Sequence, residues 1–244
     1  MFRCLKTNYK FGEKILKIKV LPFVFLYKDS ENSNFMYFLT DKIVFPPVSE
    51  TSPEGILAIG GDLQPERLLL AYKSGIFPWY GEDEPIIWWS PDPRMVLFPE
   101  ELKVSKSMKQ LLRRQAFSVT YNTAFKEVIN ACASVQRPGQ DDTWITDEMQ
   151  EAYLELFNMG YITSVEVWRD EKLVGGAYGV NLGRVFCGES MFAYESNASK
   201  FGFIHLVRKL QSEGCQIIDC QMHTNHLESL GAYEIPREVF LSFL

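Results

Sequence analysis

Nothing in the 244-residue sequence is long and apolar enough to span a bilayer. A spanning helix needs roughly 18 to 20 uninterrupted apolar residues. The nearest run, Val20 to Tyr27, ends after eight residues at Lys28-Asp29-Ser30-Glu31. It follows a basic stretch, as the apolar part of a secretory leader does, but no small-residue cleavage site comes after it. A cytoplasmic protein with no membrane partner is therefore expected. Disulfides lack support too: the five cysteines (Cys4, Cys132, Cys187, Cys215 and Cys220) are odd in number and show no Cys-x-x-Cys spacing. That usage fits free thiols in a reducing compartment. An overall surplus of positive charge is also missing. With a formal net charge of −6, the chain cannot hold nucleic acid by bulk charge, and any such contact has to come from a local patch.

What is present reads as globular: 46% hydrophobic and 23% charged residues give enough apolar surface for a well-buried core. The charge is uneven, since residues 1–40 hold seven Lys or Arg against three acids. Residues 1–42 show no sustained helical or strand period and are expected to be a basic arm of unassigned role. From Phe45-Pro46-Pro47 the sequence becomes dense in Gly, Pro and Trp, and residues 43–92 are expected to form a small N-terminal domain. Within it, Pro65 suits a first helical position, Leu68, Leu69 and Tyr72 form an apolar face, and Gly75 stops the helix. Three of the five tryptophans, Trp79, Trp88 and Trp89, fall within eleven residues. Such a cluster serves either packing or the stacking of a base or ribose.

Residues 93–244 carry a regular pattern. Ser105 caps a helix through Arg114, Phe117 to Tyr121 reads as a strand, and Phe125 to Ala133 reads as a short helix. Thr146 caps a helix whose apolar positions are Met149, Ala152, Tyr153, Leu156 and Phe157. Three strands follow, Thr163–Trp168, Leu173–Val180 and Val185–Met191, joined by turns so short that the strands must be antiparallel. A helix over 197–212, a strand Ile217–Gln221, a short helix from His226 and a strand Ala232–Ile235 complete the series. The expected class is α/β of the α+β kind, with a mixed, mostly antiparallel sheet. This order of elements, with its closing helix, glycine and strand, resembles the GNAT acyltransferase fold.

The strand Ile217-Ile218-Asp219-Cys220-Gln221 is the chemical focus. In a regular strand Asp219 and Gln221 share one face, roughly 6.5 to 7 Å apart. Polar groups inside an apolar run must be matched by other polar groups, and a substrate is the expected match. Cys220-x-x-His223-x-x-His226 offers ligand-type residues but no fourth ligand, so no metal is expected. Residues 194–202 lack the Arg/Gln-x-x-Gly-x-Gly/Ala loop with which CoA-dependent GNAT enzymes hold pyrophosphate.

A further set of motifs is more specific. Gly60-Gly-Asp62, Gly75-Ile-Phe-Pro-Trp79, Trp88-Trp-Ser-Pro-Asp-Pro-Arg94, Thr143-Trp-Ile-Thr146, Phe186-Cys-Gly-Glu-Ser-Met-Phe192, Asn197-Ala-Ser-Lys200, Ile218-Asp-Cys-Gln221 and Leu230-Gly-Ala232 occur in this order. Together they resemble the leucyl/phenylalanyl-tRNA–protein transferases over about residues 45–238. The resemblance implies transfer of Leu or Phe, less readily Met, from an aminoacyl-tRNA to the α-amine of proteins beginning with Arg or Lys, which then enter N-end-rule degradation. It implies neither a metal nor CoA, and the protein is expected to be a monomer. It also implies a relay from Gln221 to Asp219. A neutral carboxamide is a poor base, so we assign Gln221 to orienting the amine and the carbonyl, and Asp219 to holding Gln221 and taking charge. Glu189 is expected to pair with the acceptor's guanidinium or ammonium. Trp79 and Trp144 are implied contacts to the terminal adenosine and acyl group, with Tyr153, Phe186 and Ser190 as further substrate contacts. Met191, Phe203, Leu206 and Ile218 are candidate walls for the Leu or Phe side chain. Lys103, Lys106, Lys109, Arg113 and Arg114, five basic residues in twelve with no acid among them, together with Lys200, are candidates for the tRNA. Two alternatives stay open: a CoA-dependent N-acetyltransferase on the same fold, and a non-catalytic tRNA-binding module.

Overall fold

A computed structural model of the chain describes residues 10–11, 14–15, 17–20, 24–28, 35–135 and 145–244. Two compact units divide between Pro91 and Asp92.

In the first unit, β1 (Lys10–Phe11) and β2 (Lys14–Ile15) form an antiparallel pair. A six-stranded sheet contains β3 (Lys17–Val20), β4 (Val24–Lys28), β5 (Phe35–Leu39), β6 (Ile56–Gly60), β7 (Phe77–Pro78) and β8 (Ile87–Trp89). Their spatial order is β3-β4-β5-β6-β8-β7. Because β5 pairs in parallel with β6 through Tyr37↔Ala58, the sheet runs across the boundary expected near residue 42. Alternating aromatic and aliphatic residues in β4 and β5 supply the strand propensity. Helix α1 (Pro65–Lys73) begins at Pro65 and stops at Gly75 as expected, with Gly75 at a φ of 73°. Arg67 on α1 is buried. It pairs with both oxygens of Asp62 and donates to the carbonyls of Thr40 and Lys42. Trp88 is fully buried and donates to the Gly60 carbonyl at 2.8 Å, so this tryptophan serves packing. Trp79 and Trp89 are half-buried, with ring centroids 5.3 Å apart.

The second unit is built on a seven-stranded sheet: β9 (Arg94–Leu97), β10 (Ser118–Tyr121), β11 (Ile162–Arg169), β12 (Lys172–Asn181), β13 (Val185–Ala193), β14 (Ile217–Gln221) and β15 (Tyr233–Ile235). The spatial order is β10-β11-β12-β13-β14-β9-β15, antiparallel throughout except for the β13–β14 pair. The mixed, mostly antiparallel α/β architecture expected from the sequence is the one observed. Asp170 and Glu171 both take positive φ (47° and 63°), which gives the β11–β12 turn a twist that matches the strands. The helices are α2 (Lys106–Arg113), α3 (Phe125–Ser134), α4 (Asp147–Asn158), α5 (Ala198–Ser212), α6 (Asn225–Glu228) and α7 (Arg237–Leu241). The expected caps are in place: Ser105 accepts from the Met108 N–H, and Thr146 accepts from the Met149 N–H.

Helices α3 and α5 cover opposite faces of the sheet, because neighbouring strand residues point to opposite sides. A Cβ on Gly175 would lie 2.7 Å from Ala198 of α5, and one on Gly176 would lie 3.3 Å from Val128 of α3. Absent side chains at these positions let both helices approach closely. Helix α5 is the crossover that returns the chain to β14 in parallel.

Strands β6, β8 and β9 differ from the sequence reading. β9 lies inside the sheet between β14 and the edge strand β15, yet its four residues sit between Pro93 and Pro99 and read as an extension of the Trp-Pro-rich stretch. β6 and β8 were hidden in the same way by Gly and Pro punctuation.

Candidate active site

The parallel ladder between β13 and β14 contains only three pairs, Val185↔Ile217, Phe186↔Ile218 and Cys187↔Asp219. Beyond them the ladder stops, while β13 continues to Ala193 and β14 to Gln221. Two side chains bridge the strands there: Gln221 Nε2 donates to Glu189 Oε1 at 2.9 Å. The other carboxylate oxygen of Glu189 accepts from the Tyr153 hydroxyl at 2.8 Å. Tyr153 is fully buried on α4, with its ring edge-on to Tyr178 at 5.7 Å, so one end of the bridge is anchored in the core. With Nε2 committed to Glu189, the carboxamide oxygen of Gln221 remains available to accept from a substrate N–H.

The expected alternation of Asp219 and Gln221 on one face of a regular strand does not hold. Between them the β14–β9 register slips, with Asp219 opposite Val96 and Gln221 opposite Met95, so Cys220 is the extra residue of a bulge. Gln221 takes a φ of 64°, which is uncommon for a residue with a Cβ. Its backbone N–H donates to Asp219 Oδ1 at 2.9 Å. Asp219 therefore holds the backbone of Gln221, and Glu189 holds its carboxamide. Asp219 itself is 1% exposed, and its carboxylate is gripped by Arg94, Nε to Oδ1 at 2.7 Å and Nη2 to Oδ2 at 2.6 Å. The sequence reading gave Arg94 no site role. The signal was present, however: an arginine opening the apolar strand Arg-Met-Val-Leu must be matched by a buried acid, and Asp219 is the acid in a comparable apolar run.

Two thiols adjoin the site. Burial raises the Cys187 thiol well above its ordinary value, and Asp219 and Glu189 push it the same way. Burial likewise raises Cys220. Neither is poised as a thiolate nucleophile at neutral pH. Among the described residues no group of three or more His, Cys, Asp and Glu side chains is gathered as a metal requires; His223 instead lies 3.4 Å from Glu228.

The remaining candidates distribute as follows. Phe186, Phe203, Leu206 and Ile218 are buried in one core cluster, against which the half-buried Met191 packs. Ser190 is half-buried beside Glu189 on β13. Lys103, Lys106, Lys109, Arg113 and Arg114 are all exposed, and none pairs with an acid among the described residues. Lys200 lies near the start of α5, 3.4 Å from the Ser229 hydroxyl. The segment expected to hold pyrophosphate in a CoA enzyme enters α5 through Asn197 in a left-handed conformation, and Gly202 sits where a Cβ would come within 2.6 Å of Val167. That glycine serves packing. Trp79 belongs to the first unit, and Trp144 lies outside the described residues.

Residues 96–244 match the family described as leucyl/phenylalanyl-tRNA protein transferase, and residues 61–92 match that family's N-terminal domain. The chain is 61% identical over 209 residues to the leucyl/phenylalanyl-tRNA–protein transferase of Flavobacterium johnsoniae, covering 86% of this chain and 99% of that one. To the protein of the same name from Christiangramia forsetii it is 58% identical over 211 residues, covering 86% of this chain and all of the other. Likeness to solved structures is faint: a GCN5-related N-acetyltransferase from Kribbella flavida aligns at a TM-score of 0.34 and 10% identity, covering 68% of this chain and 59% of that one.

Proposed function

The chain belongs to the leucyl/phenylalanyl-tRNA–protein transferase family of aminoacyltransferases, and from that premise we propose that it transfers Leu or Phe, less readily Met, to the N-terminal α-amine of proteins beginning with Arg or Lys. The observation that carries this reading is the Glu189–Gln221 bridge across the parted strands. It places an anion and a neutral acceptor side by side, one suited to a cationic side chain and the other to an amine N–H.

The reaction is aminolysis of an activated ester. The neutral α-amine attacks the ester carbonyl of Leu-tRNA or Phe-tRNA, and a C–N bond forms. The bond to the terminal ribose oxygen breaks, that oxygen leaves with the electron pair and takes up one amine proton, and the nitrogen keeps the other as the N–H of the new amide. A free α-amine has a pKa of about 7.7 to 8, so an appreciable share is neutral at pH 7 without a dedicated base. Gln221 orients the amine through its carboxamide oxygen, while Glu189 accepts the guanidinium or ammonium of the acceptor's first side chain. Orientation of this kind is worth up to about 7 to 11 kcal/mol in favourable cases. The apolar cluster of Phe186, Phe203, Leu206 and Ile218, with Met191 packed against it, receives the Leu or Phe side chain. The exposed basic face around α2 and Lys200 contacts tRNA phosphates, and Trp79 and Trp144 contact the terminal adenosine and acyl group. In this reading the protein acts as a cytoplasmic monomer that feeds N-end-rule degradation.

The test is to incubate the protein with labelled Leu-tRNA or labelled acetyl-CoA and a peptide beginning with Arg. Leucyl transfer supports the proposal. Acetyl transfer replaces it with a CoA enzyme, and tRNA binding without transfer replaces it with a binding module.

A further inference from the structure

We propose that Arg94 is a positioning residue for Gln221: by fixing Asp219 from two directions it sets the backbone turn that aims the Gln221 carboxamide, and the charge of Asp219 is spent on Arg94 rather than on moving a proton. This rests on the transferase reading above.

The geometry forms a chain of three links. Arg94 opens β9, opposite Ile235 of β15, while Asp219 sits on the neighbouring β14 opposite Val96. Both side chains are 1% exposed. The two-point contact at 2.7 and 2.6 Å fixes the plane of the carboxylate as well as its position. The guanidinium lies 4.8 Å from the Phe240 ring centre of α7, so the arginine is held from behind. On the other neighbouring strand, Cys187 of β13 is the ladder partner of Asp219.

In the second link, Asp219 Oδ1 accepts the Gln221 N–H two residues on. This is the local device by which an aspartate stabilises a turn. It is needed here because Gln221 sits at a φ of 64°, where a side chain is strained. In the third link, the turned backbone sends the carboxamide across the gap to Glu189. A proton relay from the amine through Gln221 to Asp219 would need Asp219 to meet the carboxamide, but the contact it makes is with the backbone N–H.

The distinction is testable because the turn needs an acceptor oxygen at position 219 and does not need a charge. In Asp219→Asn the buried arginine is left unmatched, and in Arg94→Gln the buried carboxylate is left unmatched. The double variant Arg94→Gln/Asp219→Asn is neutral and keeps the acceptor. Each single variant is expected to lose kcat for leucyl transfer on the order of 10²-fold through misplacement. The double variant should recover at least about tenfold of that loss, with KM for Leu-tRNA and peptide within about twofold of wild type. Recovery of kcat at constant KM is not expected of a residue that merely supports the fold. A folded double variant no more active than Asp219→Asn overturns the inference, because the charge is then required. Should the double variant fail to fold, Arg94→Lys decides: it keeps the charge with one compact donor group, and its Gln221 amide should exchange hydrogen faster than in wild type. An unchanged Gln221 exchange rate in Arg94→Lys overturns the proposal. Amide exchange reads the turn even if wild type transfers no leucine, an outcome that defeats the transferase reading alone.

Discussion

Replacing Glu189 with Gln removes one charge at the bridge while keeping its size, and the consequence can be worked from the contacts. The carboxylate accepts one bond from Tyr153 and one from Gln221. The proposed guanidinium of the acceptor would bond this same carboxylate. Hydrogen bonds to charged groups contribute about 1.5 to 3 kcal/mol each. Glu189 is half-buried and therefore partly screened, so we take about 2 kcal/mol for a whole guanidinium contact, which is about 30-fold in kcat/KM. The assay compares leucyl transfer to two otherwise identical peptides, one beginning with Arg and one with citrulline, its neutral isostere. Wild type should favour Arg by about 30-fold, and Glu189→Gln should reduce that preference to about threefold or less. Taking the ratio within one variant cancels any loss of Gln221 positioning, since both peptides meet the same altered site. If Glu189→Gln keeps the wild-type preference for Arg, the carboxylate does not read the acceptor and the assignment fails.

Two further outcomes follow from surface and buried charges. Lys106→Gln with Lys109→Gln removes two exposed cations from the α2 face; affinity for Leu-tRNA should fall, and the slope of log affinity against log salt should lessen by about 2, measured by filter binding from low to moderate salt. His226 and His205 are both shifted below the ordinary imidazole value by burial first, with Lys200 opposing the charged form of His226 and Arg208 that of His205. Below about pH 6.5 the unfolded chain therefore binds protons that the native chain does not, so stability is lost as pH falls from that value toward the lower folded ones. Melting temperatures measured from pH 7.5 to 5.5 should show this decline, and His226→Gln should flatten it.

The local signals in the second unit were legible because they act over a few residues. Ser105 and Thr146 cap helices by contacts three residues away, and the Asp170-Glu171 turn forces antiparallel pairing whatever surrounds it. Asp219, Gln221, Glu189 and Tyr153 could each be named from the sequence. Their connections could not, for one physical reason: a period-two reading assumes an unbroken strand. The bulge at Cys220 and the positive φ of Gln221 depend on a carboxylate held by an arginine 125 positions away. β9 was missed for a related reason. Four residues between prolines carry little periodicity, and their strand character comes from being enclosed by β14 and β15. The first unit shows the same pattern, since the β5–β6 pairing joins segments on either side of the Phe45-Pro46-Pro47 punctuation.

Why the proposed site sits at this point in the sheet follows from topology. A meander of antiparallel strands has no reason to open, but the α5 crossover inserts one parallel pair, and parallel pairing is slightly less favourable per residue than antiparallel pairing. The β13–β14 ladder is this parallel pair, and it ends after Cys187↔Asp219. The residues just beyond that end, Glu189 and Gln221, lie on different strands, so their meeting depends on where both strands run and on the turn at Gln221. A site made this way suits a reaction whose donor is already activated. The fold has to supply distance and orientation, and it does so with a neutral carboxamide braced by a carboxylate on one side and by an Asp219 turn on the other. Acid–base chemistry asks for groups titrating near the working pH. The two thiols beside the site are displaced upward by burial, away from that range, and Asp219 is committed to Arg94. In the proposed reading, what remains to accelerate transfer is placement.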